Sequence, residues 1–290
     1  VRRQAARTAI GPMALVAAEQ YRPVPERLVQ DGLARRLLPG AARWLAASTR
    51  WRPIGDLLIR VTEGKGRGLT ASLLCRKRYV DDTLQEALVA GIEAVVVLGA
   101  GLDTLAYRHP ELQRCRVFEV DLPENIAYKR ARLTAVFGRV PHHVSLVPID
   151  LDSADLMEVL AAHGYEPAWK AFFSWEGVTQ YLSEDGVRRT LSALASAAAG
   201  SRLVFTFVRR DFLDGLHFYA AEPAYQEFCV RRRLWRFGLA PEGVGAFLAE
   251  YGWREVEQLS GMCLRARYVE PTGRALPVSE IERSVHAEKL

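Results

Sequence analysis

The sequence predicts an α/β fold, a doubly wound and mostly parallel sheet of seven strands, with a helical cap before the sheet and a helical insertion within it. Three observations point there. Apolar runs of strand length alternate with longer segments whose apolar residues recur every three or four positions, as crossover helices between parallel strands require. The first run, Ala94-Val95-Val96-Val97-Leu98, passes directly into Gly99-Ala100-Gly101. The second, Val117-Phe118-Glu119-Val120, ends in Asp121, twenty residues beyond Gly101.

This corner suits a nucleoside. A β-branched run fits a strand buried on both faces, and the glycines let the backbone turn sharply and approach a ligand. A carboxylate at the end of the second strand can accept hydrogen bonds from both ribose hydroxyls. The third glycine of the dinucleotide fingerprint is missing, since Thr104, Leu105 and Ala106 stand there, which disfavours a pyrophosphate. S-adenosylmethionine carries one nucleoside, no phosphate and a sulfonium, so it needs only the turn, the ribose carboxylate and an adenine pocket.

Composition narrows the setting. With 290 residues, 49% hydrophobic and 25% charged, the chain suffices for one large α/β domain or two small ones. Its net charge of +5 is modest and its arginines are scattered, so nucleic acid is not an expected partner. Cys75, Cys115, Cys229 and Cys263 lie far apart without a C-x-x-C pair, which suggests neither a metal site nor a disulfide framework and fits the reducing cytoplasm. No stretch of about 18 apolar residues exists, and no membrane partner is expected. Arg2, Arg3 and Arg7 followed by Ala9 to Ala18 imitate a short signal peptide, but Gly11-Pro12 interrupts the apolar part and export is not the expectation.

From Thr8 to Arg67 the periodicity is helical and is cut by prolines at 12, 23, 25, 39 and 53. Residues 1–68 are therefore expected to cap the carboxyl end of the sheet, with packing against an outer face as the alternative. The core, 69–208, opens on Arg76-Lys77-Arg78 and a helix ended by Gly91. Arg76 or Arg78 could hold a carboxylate in bidentate fashion, or both could belong to a solvated face paired with Asp81 and Asp82. A second crossover helix runs from Leu122 to Phe137 with Pro123 at a permitted early position. The third strand, Val144 to Ile149, ends at Asp150-Leu151, where a carboxylate can accept the adenine amino group, and Asp152 or Ser153 can cap the next helix.

The fourth strand, Ala171 to Trp175, leads into Glu176 and, five residues on, Tyr181. By the switch-point rule these residues face cofactor and acceptor, where Glu176 would oppose a sulfonium or ammonium charge; Tyr181 can equally be a packed core aromatic. Ser201 to Val208 is a fifth strand. Residues 209–238 read as a helical insertion in which Arg209, Arg210, Phe212 and Tyr219 could hold an aromatic acid. Within 239–270, Arg254–Leu259 and Cys263–Val269 are expected to form an antiparallel pair, and 271–290 a loose tail. A parallel sheet finished by an antiparallel hairpin is the Rossmann-like layout of class I methyltransferases.

Four ordered blocks resemble the leucine carboxyl methyltransferase family and its bacterial relatives, which include polyketide carboxyl O-methyltransferases of the tetracenomycin type. They are Val97 to Thr104 with Tyr107-Arg108, then Phe118 to Pro123 with Lys129, then Asp150-Leu151, then Glu176 with Tyr181. The resemblance covers residues 70 to 205. It implies that Gly99, Ala100, Gly101, Asp103, Asp121 and Leu122 hold S-adenosylmethionine, that Asp150 and Leu151 read adenine, and that an arginine upstream of the first strand takes the methionine carboxylate. Arg76 and Arg78 both fit the last role. The expected activity is O-methylation of a small-molecule acceptor, a carboxylate in the first instance, which is already ionised at neutral pH and needs no general base. A hydroxyl acceptor is the alternative. A nicotinamide-dependent oxidoreductase and an inactive cofactor-binding protein are the rival readings.

Overall fold

The structure, a computed structural model, describes residues 10–290. It opens with helices α1 (Ile10–Glu19), α2 (Ala34–Leu37), α3 (Gly40–Ser48) and α4 (Arg52–Glu63), then the long α5 (Leu69–Val89). Pro39 precedes α3 and Pro53 occupies the first turn of α4, where the missing N–H costs nothing. The basic head of the signal-like stretch lies outside the described residues, while its apolar part forms α1 and buries Met13, Ala14, Val16 and Ala17. Among the described residues no helix is long and apolar enough to cross a membrane.

Strands β1 (Ala94–Leu98), β2 (Arg116–Asp121), β3 (Val144–Pro148), β4 (Ala171–Trp175) and β5 (Arg202–Arg209) fall where the apolar runs placed them. Between them lie α6 (Leu105–Arg108), α7 (Pro123–Phe137), α8 (Leu156–Ala162) and α9 (Glu184–Leu194). With β7 (Trp253–Leu259) and β8 (Glu282–Lys289), the order across the sheet is β3-β2-β1-β4-β5-β8-β7, and the two-residue β6 (Gly238–Leu239) pairs with the end of β5. The chain winds outward from β1 to β3 and then returns to β4 on the other side of β1. That reversal makes the β1–β4 crevice the switch point, where side chains from both halves can meet a ligand.

Every residue of β1 and of β4 is buried, because a core lies on each face. Val95, Val97, Val117 and Phe172 pack with the N-terminal helices and α5, whereas Val96, Leu98, Phe118 and Phe173 pack with α8, α9 and α12 (Val244–Ala249). The N-terminal segment is fastened at two places. Arg132 on α7 donates to the carbonyls of Arg36 and Leu38, fixing that stretch to an outer face, while Asp31 reaches Thr104 beside the glycine turn.

The C-terminal part corrects the sequence expectation. β7 (Trp253–Leu259) forms, but residues 261–272 are helical. Ser260 caps α13 (Gly261–Leu264) by accepting the Cys263 amide, and Leu264, Tyr268 and Val269 turn inward at helical spacing. The antiparallel partner of β7 is β8 (Glu282–Lys289), taken from the stretch expected to be loose. β8 lies between β5 and β7, antiparallel to both, with Val285 and Ala287 fully buried. The insertion is also less helical than expected: α10 (Arg210–Leu213) and α11 (Glu222–Tyr225) are single turns, followed by a wide turn over Gln226–Arg231.

Candidate active site at the switch point

The turn after β1 needs its glycines. Gly99 has φ 71° and Gly101 φ 41°, both left-handed, and a Cβ on Gly99 would sit 2.3 Å from Val178 in the loop after β4. Gly101 donates its N–H to Asp121 Oδ2 at 2.6 Å. The other Asp121 oxygen accepts from the Leu122 amide and from Asn125 Nδ2, each at 2.7 Å, so the start of α7 sets its orientation. Beneath the turn, Lys129 Nζ donates to the Ala100 carbonyl at 3.2 Å and to Glu119 Oε1 at 2.7 Å, and the Tyr107 hydroxyl donates to the other Glu119 oxygen. Glu119 is fully buried, and burial raises its carboxyl pKa against the opposing pull of Lys129.

A chain of alternating charges crosses the crevice. Arg76 Nε donates to Glu176 Oε1 at 2.8 Å, and its Nη1 reaches Glu282 Oε2 at 2.9 Å. Lys77 Nζ lies 3.0 Å from Asp103 and 3.4 Å from Glu176. Arg108 joins Asp103 at 2.9 Å and Asp81 at 2.5 Å, and His109 Nε2 lies 2.9 Å from the same Asp81 oxygen. Burial alone would depress Lys77, yet Asp103 and Glu176 raise its pKa above the ordinary lysine value. Burial would raise Asp103, and Lys77 with Arg108 override it, holding the carboxyl far below its usual range. Gly177, φ 69°, leaves room for Arg76, since a Cβ there would come within 2.6 Å of Nη2.

The structure sorts the expected site residues. Arg76, Gly99, Ala100, Gly101, Asp103, Asp121, Leu122 and Glu176 gather at the crevice. Arg78 does not: it faces outward, half exposed, and pairs with Asp82 one turn on, as the solvated-face alternative required. Asp150 ends the β3 connection and accepts the Asp152 amide at 3.0 Å, with Leu151 buried beside it. The cap of α8 falls to Asp155, and Asp152 instead accepts from the amide and hydroxyl of Ser183. Tyr181 is half buried, its carbonyl held by Arg236.

The expected acceptor group splits. Phe212 is fully buried against Tyr225 and Trp235, so it belongs to a core and not to a pocket. Arg210 is exposed and pairs with Asp214, its neighbour on the next helical turn. Arg209 and Tyr219 do meet: Arg209 bonds Asp211 at 2.7 Å and lies 4.7 Å over the Tyr219 ring, whose hydroxyl also donates to Asp211. The hydrogen bond from Arg209 brings Asp211 down to about 2. Sequence reading missed Lys77, Asp31 and Glu282. Lys77 sat within a basic cluster already noted; Asp31 and Glu282 act across 73 and 206 residues and carry no local signal.

The arrangement fits a single nucleoside: two left-handed glycines, an oriented acid after β2, another acid after β3, and a buried arginine beside a buried glutamate. Fold and corner together define a class I methyltransferase, an enzyme that takes its methyl group from S-adenosylmethionine. The chain belongs to the leucine carboxyl methyltransferase family, whose model matches residues 9–195. A Parafrankia protein described as a candidate S-adenosyl-L-methionine-dependent methyltransferase is 33% identical over 259 residues, covering 86% of this chain and 76% of its own. A Streptomyces avermitilis protein of the same description is 30% identical, covering 85% and 82%. A crystal structure assigned as a methyltransferase from Thermobifida fusca matches with a TM-score of 0.59 at 20% identity, over 88% of this chain and 92% of that one, a likeness of fold.

Proposed function

We propose that this protein methylates an oxygen of a small metabolite, a carboxylate of polyketide type, with S-adenosylmethionine as donor. In this reading Asp121 holds the ribose hydroxyls, Asp150 and Leu151 the adenine, and Arg76 the methionine carboxylate, with Glu176 opposite the positive groups. The bound cofactor supplies an electrophilic methyl group. The residues do the rest: they orient donor and acceptor in line and keep water out.

One observation supports a carboxylate over a hydroxyl. The carboxylates of the crevice are committed: Glu176 to Arg76 and Lys77, Asp103 to Lys77 and Arg108, Asp81 to Arg108 and His109. One Glu176 oxygen is taken by Arg76 and the other by Lys77, so in this reading Glu176 serves as an electrostatic partner and not as a base. A carboxylate acceptor requires none. The pH profile of methyl transfer tests this. A carboxylate acceptor gives a flat rate from about pH 5 to neutrality. A rate climbing about tenfold per unit toward alkaline pH, with a product stable to mild base, marks a hydroxyl acceptor.

A further inference from the structure

Helix α4 has an apolar arc, Ile54, Leu57, Leu58 and Val61, at the spacing that normally faces a core, yet none of its residues is buried. Helices α3 and α4 and the turn between them carry five exposed large side chains: Trp44 is 74% exposed, Trp51 64%, Val61 57%, Leu57 53% and Leu45 47%. Six cations surround them, Arg43, Arg50, Arg52, Arg60, Lys65 and Arg67, all exposed. Residues 40–67 hold only two acids, Asp56 and Glu63, and Glu63 is used by the amides of Gly68 and Thr70. None of the six cations has an ion-pair partner among the described residues. Some exposed arginines elsewhere are paired, as Arg188 is with Glu184 and Glu250, Arg210 with Asp214 and Arg254 with Glu288, while others such as Arg114 and Arg139 are not; what sets residues 40–67 apart is that exposed cations and exposed large apolar side chains share one stretch.

We propose that the α3–α4 segment docks this protein on an anionic lipid surface. Trp44, Trp51, Leu57 and Val61, each more than half exposed, offer apolar area that suits a soft, deformable partner. Indole rings settle at headgroup depth, aliphatic side chains enter beneath them, and arginines extend their charges back to the lipid phosphates. Negative lipids supply the charge that six unpaired cations lack. The want of a membrane span has no bearing here, because an interfacial helix lies in the plane of the surface. The segment is also tied to the helix that carries part of the reaction site. Glu63 ties the end of α4 to the first turn of α5, the helix that carries Arg76 and Lys77, and the Arg67 backbone amide donates to the Ala220 carbonyl in the insertion.

Co-sedimentation of the full chain with vesicles tests this. Phosphatidylcholine vesicles containing about one third phosphatidylglycerol should bind it at least about tenfold more tightly than phosphatidylcholine alone, with the difference collapsing near ~0.5 M salt. Trp44→Ala with Trp51→Ala should weaken partitioning about tenfold, and Arg50→Glu with Arg52→Glu by more, since each cation near the surface contributes roughly fivefold. Unchanged melting curves for both double variants show that the fold is intact, as expected for exposed positions. No preference for anionic vesicles, or a preference indifferent to both double variants, overturns the proposal. So does a dimer in light scattering that the tryptophan variant dissolves, which assigns the segment to a second copy, or oligonucleotide binding that the arginine variant abolishes.

Discussion

Arg76 and Arg78 sit two residues apart on one helix and meet opposite surroundings. Positions i and i+2 point to nearly opposite sides of a helix, so only one of the pair can face the crevice. The sequence showed that a choice existed and not which residue would win, because Glu282, which fixes Arg76, lies 206 residues away. Arg78→Ala should leave the dissociation constant for S-adenosylhomocysteine within about twofold, as exposed pairs contribute little. Arg76→Ala should weaken it by on the order of 2–3 kcal/mol, and Arg76→Lys nearly as much, since an ammonium cannot hold Glu176, Glu282 and a ligand in one plane. Calorimetry on the three variants decides; equal losses for Arg76→Ala and Arg78→Ala would show the helix misassigned. Lys129 poses a subtler case. A buried ion pair is weak support for stability, so the Glu119–Lys129 pair is better explained by its grip on the Ala100 carbonyl. Lys129→Met alone should destabilise the fold by about 3–5 kcal/mol, by stranding Glu119. The double variant with Glu119→Leu should recover the fold but not the cofactor affinity; if affinity returns with stability, the pair is structural only.

At the scale of elements, the C-terminal segment was the hardest to read. Glu282 to Lys289 has a pair of charged residues at each end and Val285 as its only large aliphatic side chain, which looks like a tail until β5 and β7 stand on either side of it. Between two neighbours a strand satisfies its backbone groups completely and needs few large side chains. Residues 261–269 misled in the opposite sense, for the spacing of Leu264, Tyr268 and Val269 serves a helix as well as a strand over so short a stretch. By contrast β1 through β5 were legible because long apolar runs ending in glycine or acid have few other uses. The segment leading into β8 is also fastened: Arg274 pairs with Glu19 on α1, and the Ser279 amide donates to the Gly68 carbonyl at 3.1 Å. Ending the chain at residue 270 should therefore abolish cooperative thermal unfolding, and Val285→Asp should cost at least about 3 kcal/mol by burying a charge in the sheet. Circular dichroism melts check both. A truncated chain that melts like the full one would mean that β8 adds nothing to the sheet.

For the whole molecule, the two cores and the crevice between β1 and β4 followed from periodicity and strand-end chemistry, whereas the charge network across the crevice did not, because its members come from five separate elements. One contribution to the pH dependence of stability comes from a buried group outside that network. His286 on β8 lines a cavity of about 360 Å³ with Tyr79, Thr83, Glu257 and Arg267. Burial, reinforced by Arg202 and opposed by Glu257 and Glu288, lowers its pKa from 6.5 to about 4. The unfolded chain therefore takes up a proton near pH 6.5 that the folded protein refuses until about pH 4. The contribution to stability is complete above the unfolded pKa and is lost as pH falls through that window, with no further change below it. Its size is on the order of 3 kcal/mol, from the shift in pKa. Replacing His286 with Gln removes the titration while keeping a polar side chain. Denaturant midpoints measured from pH 7 down to about pH 4 should converge for wild type and variant, wild type losing its relative advantage over those units, while the carboxylate contributions shared by both proteins cancel in the difference. A constant difference across the window would mean that His286 is protonated as readily in the folded protein as in the unfolded one.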